Sequence, residues 1–271
     1  MRDQPFKDPN CINNEKSYTN IVPRGYLRFC ETRNPRSTQN LTALVLGNSH
    51  CLAVGPIINQ DKRFSTVVRV SGDTCHFPSR AKREFCNDMI TMDFEILEKL
   101  KPDIVFLFFA YVGKMIETPK TKITAKDPRF LYLNNTIAKM SKYTKAIIIN
   151  DIDIRFPYSV TKVFLRRKRK GLETDSLKET GTIEKVSKEP EIRRCLDLLL
   201  QYCPICVIVR PRDAFCSNGI CDPIDRKYNL PMFRDSGHVQ GLGRRHYKPF
   251  IDKAISQALD IIGNSSHTDE H

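Results

Sequence analysis

Much of what narrows this sequence is what it lacks. No stretch approaches the eighteen or so uninterrupted apolar residues that span a bilayer, and no internal repeat or low-complexity tract is present. The opening Met1-Arg2-Asp3-Gln4-Pro5-Phe6 has no apolar run of the kind a secretory signal peptide needs. The paired C-x-x-C units of a structural zinc site are also missing. Only Cys203 and Cys206 have that spacing, and Cys206 opens the apolar run Cys206-Val-Ile-Val209, which reads as a strand. Wholesale disorder is excluded by composition, with 40% hydrophobic and 28% charged residues. A chain of 271 residues with that balance can bury a sizeable core without help from metals or disulfides.

Lysine and arginine exceed aspartate and glutamate by 44 to 31, a net charge of +13. The excess peaks in Arg166-Arg167-Lys168-Arg169-Lys170, inside a polar segment reaching about Pro190. The aromatic residues that a single-strand nucleic-acid groove interleaves with its cations are absent from that block. Nucleic acid is therefore not the expected partner; a solvated, mobile excursion at about 162–190 is, with electrostatic approach to an anionic membrane face as its use. Ten cysteines are many for a cytosolic enzyme. Their even number and local pairs, Cys75 with Cys86 and Cys216 with Cys221, read as disulfides of an extracellular or lumenal protein. Three N-x-S/T triplets, at Asn40, Asn134 and Asn264, are compatible with that compartment. An oxidising destination without a visible leader predicts the distal part of a longer, membrane-attached precursor, or an incomplete gene product.

Residues 1–40 are polar and proline-bearing and are expected to be a lead-in segment, tied by Cys11 and Cys30. The apolar runs Leu41–Leu46, Ser65–Val70, Ile104–Ala110, Ala146–Ile149 and Val207–Val209 predict short strands. Between and after them, helical spacing recurs over Phe85–Leu100, Leu131–Tyr143, Glu191–Tyr202 and Tyr247–Ile262. Strands that are apolar throughout, alternating with helices, predict a three-layer α/β/α domain over 41–262 with a mostly parallel sheet, followed by a tail at 263–271. In such folds chemistry gathers beyond the carboxyl ends of the strands.

Leu44-Val-Leu-Gly47-Asn48-Ser49-His50 falls at such an end. A serine just past a glycine turn, opening a helix, can project its hydroxyl into the crevice and aim its own N–H there as an oxyanion donor. The same serine could simply cap the helix, and the G-x-S-x-G elbow of α/β-hydrolases is absent. Phe233-Arg234-Asp235-Ser236-Gly237-His238 supplies the complement: an imidazole to take a serine proton and a carboxylate to hold its tautomer. His50 is expected to be a bystander, because adjacent helical residues point apart.

Together these segments resemble the SGNH hydrolase superfamily, whose first block is a G-D-S or G-N-S turn and whose last is D-x-x-H. More narrowly they are similar to the SGNH domain attached to multi-pass membrane acyltransferases of the acyltransferase-3 type, including the nematode group. Ser71-Gly-Asp-Thr-Cys75, Leu100-Lys-Pro-Asp-Ile-Val-Phe-Leu107 and Cys216…Cys221-Asp222 ahead of Phe233-Arg-Asp235 carry the likeness over most of the chain from Leu41 to Ile262. The resemblance implies an SGNH, flavodoxin-like fold, with Ser49 as nucleophile, His238 as general base, Asp235 as its orienting acid and Gly72 as an oxyanion donor. Asn48 is a further donor candidate by position. The family's G-x-N-D block is missing after Ala110, where the sequence continues Tyr111-Val112-Gly113, and Asn150-Asp151 reads as a strand-end turn. The implied activity is acyl transfer from an ester donor to a hydroxyl acceptor, alongside membrane segments of a longer protein. Simple ester hydrolysis and a catalytically idle binding domain are the alternatives. The chemistry calls for no cofactor and no metal.

Overall fold

The structure, a computed structural model, describes residues 10–21, 27–72, 75, 84–110, 123–177, 179–180 and 189–266. Its strands include β1 (Leu27–Arg33), β2 (Leu41–Gly47), β3 (Phe64–Gly72), β4 (Ile104–Phe108), β5 (Ala146–Asn150), β6 (Glu179–Thr180) and β7 (Cys206–Val209). Its helices are α1 (Ser49–Asn59), α2 (Glu84–Leu100), α3 (Pro128–Met140), α4 (Val160–Arg169), α5 (Glu189–Tyr202), α6 (Pro211–Phe215) and α7 (Gly241–Ser266). Six strands form one sheet in the order β1-β3-β2-β4-β5-β7. All pairings within the sheet are parallel except that of β1 with β3.

The apolar runs became central strands because both faces of the sheet are covered. Ala43–Leu46, Ile104–Leu107 and Ala146–Ile148 have no exposed surface. On one face the core is built with residues of α1, α4, α6 and α7, and on the other with residues of α2, α3 and α5. Each fully buried Leu, Ile or Phe in these layers contributes about 1.5–3 kcal/mol. The chain winds from β2 out to β3, then crosses back over β2 to β4, so the winding direction reverses at β2. That reversal opens a crevice beyond the carboxyl ends of β2 and β4, the natural site of a doubly wound sheet.

Three expectations from sequence change. Residues 27–33 are not lead-in but the antiparallel edge strand β1, which runs from Leu27 opposite Gly72 to Arg33 opposite Thr66. The expected basic excursion begins as an ordered helix, α4, anchored by buried Val160 and Phe164. Its cations Arg166, Arg167, Lys168 and Arg169 occupy the last turn, where they complement the negative end of the helix dipole. The rest of that segment falls partly outside the described residues. The final helix starts at Gly241 and extends into the expected tail as far as Ser266.

After α6 the chain forms the hairpin β8 (Cys216–Ser217) and β9 (Ile220–Cys221), then β10 (Ile224–Asp225) paired with β11 (Leu230–Pro231). Asn218 and Gly219 turn the hairpin with φ of 52° and 76°, the left-handed pair a two-residue turn requires. Four disulfides are formed: Cys11–Cys30, Cys75–Cys86, Cys203–Cys206 and Cys216–Cys221. The C-x-x-C pair is thus a bridge at the start of β7, while Cys51 and Cys195, both buried, take no part in a disulfide. Bridges of this number belong to an oxidising compartment, as in extracellular, lumenal or periplasmic proteins. No helix among the described residues is long and apolar enough to cross a membrane.

Asp93 on α2 is 4% exposed, and its Oδ1 finds no hydrogen-bond partner among the described residues. Burial pushes its carboxyl well above the usual carboxylate value. Below the ordinary value near 4, both folded and unfolded chains hold the proton. As pH rises past it, only the unfolded state releases the proton, so stability falls with rising pH until the folded value is reached. Asp93→Asn is expected to remove that decline: thermal melts should show a Tm gain over wild type that grows between pH 4 and 7. A variant that instead loses stability toward neutral pH would mean Asp93 is ionised and partnered.

Candidate active site

β2 ends on Gly47. A Cβ there would stand 2.0 Å from the Phe108 carbonyl oxygen and 2.5 Å from Cys51 Cβ, so only glycine lets α1 leave the sheet this close to β4. Asn48 then caps the helix from an extended conformation, with φ −95° and ψ −153°. Its Oδ1 accepts from the His50 N–H at 3.1 Å and from the Ala110 N–H at 3.1 Å, tying the turn to the chain just beyond β4. With that oxygen occupied, only the Asn48 amide nitrogen remains as a donor. Ser49 follows as the first helical residue, at the reversal point of the sheet and half-buried. Its own N–H is among those at a helix start that no carbonyl of the helix reaches.

The facing wall is the loop between β11 and α7. The Arg234 N–H donates to the His238 carbonyl at 2.9 Å. Asp235 Oδ1 accepts from the N–H groups of Gly237 and His238, each at 3.0 Å, so the loop closes around its own carboxylate. A segment that sequence reasoning assigned no role braces it from behind. The N–H of Phe156 donates to the Ser236 carbonyl at 2.8 Å and that of Val160 to the Asp235 carbonyl at 3.2 Å. The Thr161 hydroxyl donates to the Phe233 carbonyl at 2.8 Å and accepts from Gln240 Nε2 at 3.2 Å. Nothing in the sequence between β5 and α4 signals this duty, because its bonds run mostly through backbone.

The two walls meet. His238 Nδ1 lies 2.8 Å from both Asp235 carboxylate oxygens, and its Nε2 lies 2.7 Å from Ser49 Oγ. Burial by itself would raise the Asp235 carboxyl, but hydrogen bonds from the His238 ring and from the His238 and Gly237 N–H groups hold it well below the usual range. The side chains of His238 and Asp235 keep 24% and 36% exposure, so the line of three groups is reachable from solvent. Gly72 closes β3 beside β2, one residue past the Ser71–Gly47 pairing. A Cβ on Gly72 would meet Met89 Sδ at 2.5 Å and Cys75 Sγ at 2.8 Å, so packing alone demands glycine there.

Other polar residues of this rim are occupied. Asn150 at the end of β5 accepts from the Phe109 N–H at 2.8 Å and donates to the Phe109 and Asp151 carbonyls at 3.0 and 2.8 Å, stapling β5 to the chain beyond β4. The stretch Tyr111-Val112-Gly113, and Asp73-Thr74 after β3, lie outside the described residues. His50 is not the bystander expected from its position beside Ser49: its ring packs on His238. A cavity of ≈ 590 Å³ at the amino ends of β5 and β7, lined by Ile137, Thr144, Tyr202, Pro204 and Ile205, is remote from this chemistry, and none of Ser49, Asp235 or His238 lines it.

A doubly wound α/β domain with a serine, an imidazole and a carboxylate in hydrogen-bonded line at its switch point has the build of an enzyme acting on acyl esters. The family described as "SGNH domain (fused to AT3 domains)" matches residues 10–253, and the chain belongs to it. No curated protein shows significant sequence similarity. Among solved structures, the periplasmic domain of the lipopolysaccharide acetyltransferase of Salmonella ser. Paratyphi A is similar in fold. It is 14% identical with a TM-score of 0.53, over 83% of this chain and 85% of that one. A Bacteroides fragilis protein provisionally assigned as an acylhydrolase aligns at 12% identity and a TM-score of 0.44, over 83% of this chain and 91% of that one. Membership of that family makes the chain an acyl-ester enzyme of the SGNH type.

Proposed function

We propose that Ser49 is the nucleophile of an O-acyltransferase, with His238 as general base and Asp235 as its orienting acid. The observation that carries this reading is the continuous line from Ser49 Oγ through both nitrogens of His238 to Asp235. Ser49 Oγ bonds to the carbonyl carbon of an acyl ester while its proton passes to His238 Nε2. The oxyanion is met by the N–H of Ser49, at the positive end of α1, and by that of Gly72, with the Asn48 amide as a third donor. His238 returns the proton to the departing alcohol oxygen as the carbon–oxygen bond breaks, leaving an acyl-Ser49 ester. A hydroxyl acceptor then repeats the steps in reverse order: it loses its proton to His238, takes the acyl group, and frees Ser49.

Fusion to AT3 domains, the habit of this family, supports transfer rather than hydrolysis, with membrane segments of a longer protein supplying the acyl group and anchoring the domain. The cations at the end of α4 would then face an anionic surface without entering the chemistry. Labelling by a fluorophosphonate probe tests the nucleophile. Wild type should label, and Ser49→Ala should not. A wild-type protein that stays unlabelled, while folded and oxidised, would leave the idle binding domain as the better reading.

A further inference from the structure

A second imidazole lies against the first. His50 is 6% exposed, and its ring packs against that of His238 at a tilt, with centroids 4.5 Å apart and 32° between the planes. His50 Nδ1 stands 3.0 Å from Asp153 Oδ2, an oxygen that is buried and has no aligned hydrogen bond among the described residues. Asp153 comes from the segment after β5 that also braces the Asp235 loop.

This contact answers a mechanical need. His238 is held at Nδ1 by Asp235 and touches Ser49 at Nε2. A flat ring gripped only at those two atoms can rock about the line that joins them. Packing against one face removes that freedom and keeps Nε2 aimed at the hydroxyl. Resting on the catalytic reading of Ser49 and His238 given above, we propose that His50, held by Asp153, is a positioning residue for His238.

The test follows kcat and KM for a small neutral chromogenic ester, p-nitrophenyl acetate. The proteins are wild type, His50→Gln, His50→Phe, Asp153→Asn, the double variant His50→Gln/Asp153→Asn, and Ser49→Ala. His50→Gln loses the flat ring: kcat should fall about tenfold or more with KM within about twofold. His50→Phe keeps the ring face, so its kcat should stay within about threefold of wild type. Asp153→Asn should slow the wild type but add nothing to His50→Gln, since it acts through that ring.

A kcat in His50→Phe as low as in His50→Gln overturns the positioning role, and where His50→Gln does not fold, a kcat in folded His50→Phe about tenfold or more below wild type overturns it alone. Equal effects of Asp153→Asn in both backgrounds detach Asp153 from it. Turnover retained in Ser49→Ala would instead remove the catalytic reading itself, whatever the His50 variants do. An inactive Ser49→Ala beside wild-type-like His50 variants removes only the present inference.

Discussion

Asp235→Asn is expected to lower kcat on a small ester by about four orders of magnitude, with KM little changed and the far-UV spectrum intact. The carboxylate serves two groups at once. One oxygen gathers the N–H groups of Gly237 and His238, and both oxygens sit 2.8 Å from His238 Nδ1. An asparagine oxygen can keep the backbone bonds, so the loop should hold its shape. The amide cannot stabilise the imidazolium, and an amide N–H turned toward Nδ1 selects the tautomer whose proton sits on Nε2, facing Ser49. The base is then blocked rather than misplaced.

Because Asp235 is held well below the usual carboxylate range, it stays ionised throughout the pH interval in which an imidazole titrates. The acid limb of wild-type turnover should therefore belong to an imidazole, and no further loss from Asp235 should appear until pH falls below about 4. By the same linkage, the stability that its hydrogen bonds confer is present above the unfolded value near 4 and is lost as pH falls through the folded value. A variant retaining more than a tenth of wild-type kcat would mean that proton transfer at this site does not limit the reaction.

Gly47→Ala should be the most disruptive single methyl that can be added near the site. Its Cβ would lie 2.0 Å from the Phe108 carbonyl oxygen, an atom of the central strand β4 rather than the tip of a side chain. Either β4 or the start of α1 must move, and β4 is buried along its whole length. Overpacking of this kind costs about 3 kcal/mol or more, which in a domain of this size lowers Tm by roughly 6–12 °C. Ser49 rides on the same turn, so labelling by the fluorophosphonate probe should fall in the fraction that still folds. Gly263→Ala is the matched control: nothing lies within 4 Å of its added Cβ, and it sits in α7. There, alanine for glycine should leave Tm unchanged or raise it slightly, by about 0.5–1 kcal/mol of helix preference. Equal melting of the two variants would show that the β2–α1 turn is looser than its contacts imply.

Some of this protein could be read directly from residue order. The parallel core was legible because strands covered on both faces must be apolar at every position, so Ala43–Leu46, Ile104–Phe108 and Ala146–Ile149 stand out as unbroken runs. Gly47-Asn48-Ser49 and Asp235–His238 were legible because a tight turn and a three-residue D-x-x-H spacing are local features. Edge strand β1 was not. It carries exposed Arg28 and Arg33, which an edge with one neighbour tolerates, and a buried Glu31 held by Arg33 and Asn14, so its run is not apolar. Helix α4 was hidden because only Val160 and Phe164 of its ten residues are buried, too few to outweigh a run of cations.

The role of His50 could not come from the sequence either. Residues Ser49 and His50 do leave the helix about 100° apart, as local reasoning holds. A single His238 ring is large enough to meet one with its edge and the other with its face. Sequence therefore determined which chemical groups exist and which turns present them. The tertiary structure alone decided that a serine and a histidine 189 residues apart lie within 2.7 Å, and that a second histidine packs at a tilt against the first. Those contacts depend on how β2 and the loop before α7 converge over the sheet, and backbone hydrogen bonds from a segment with no motif of its own hold that convergence.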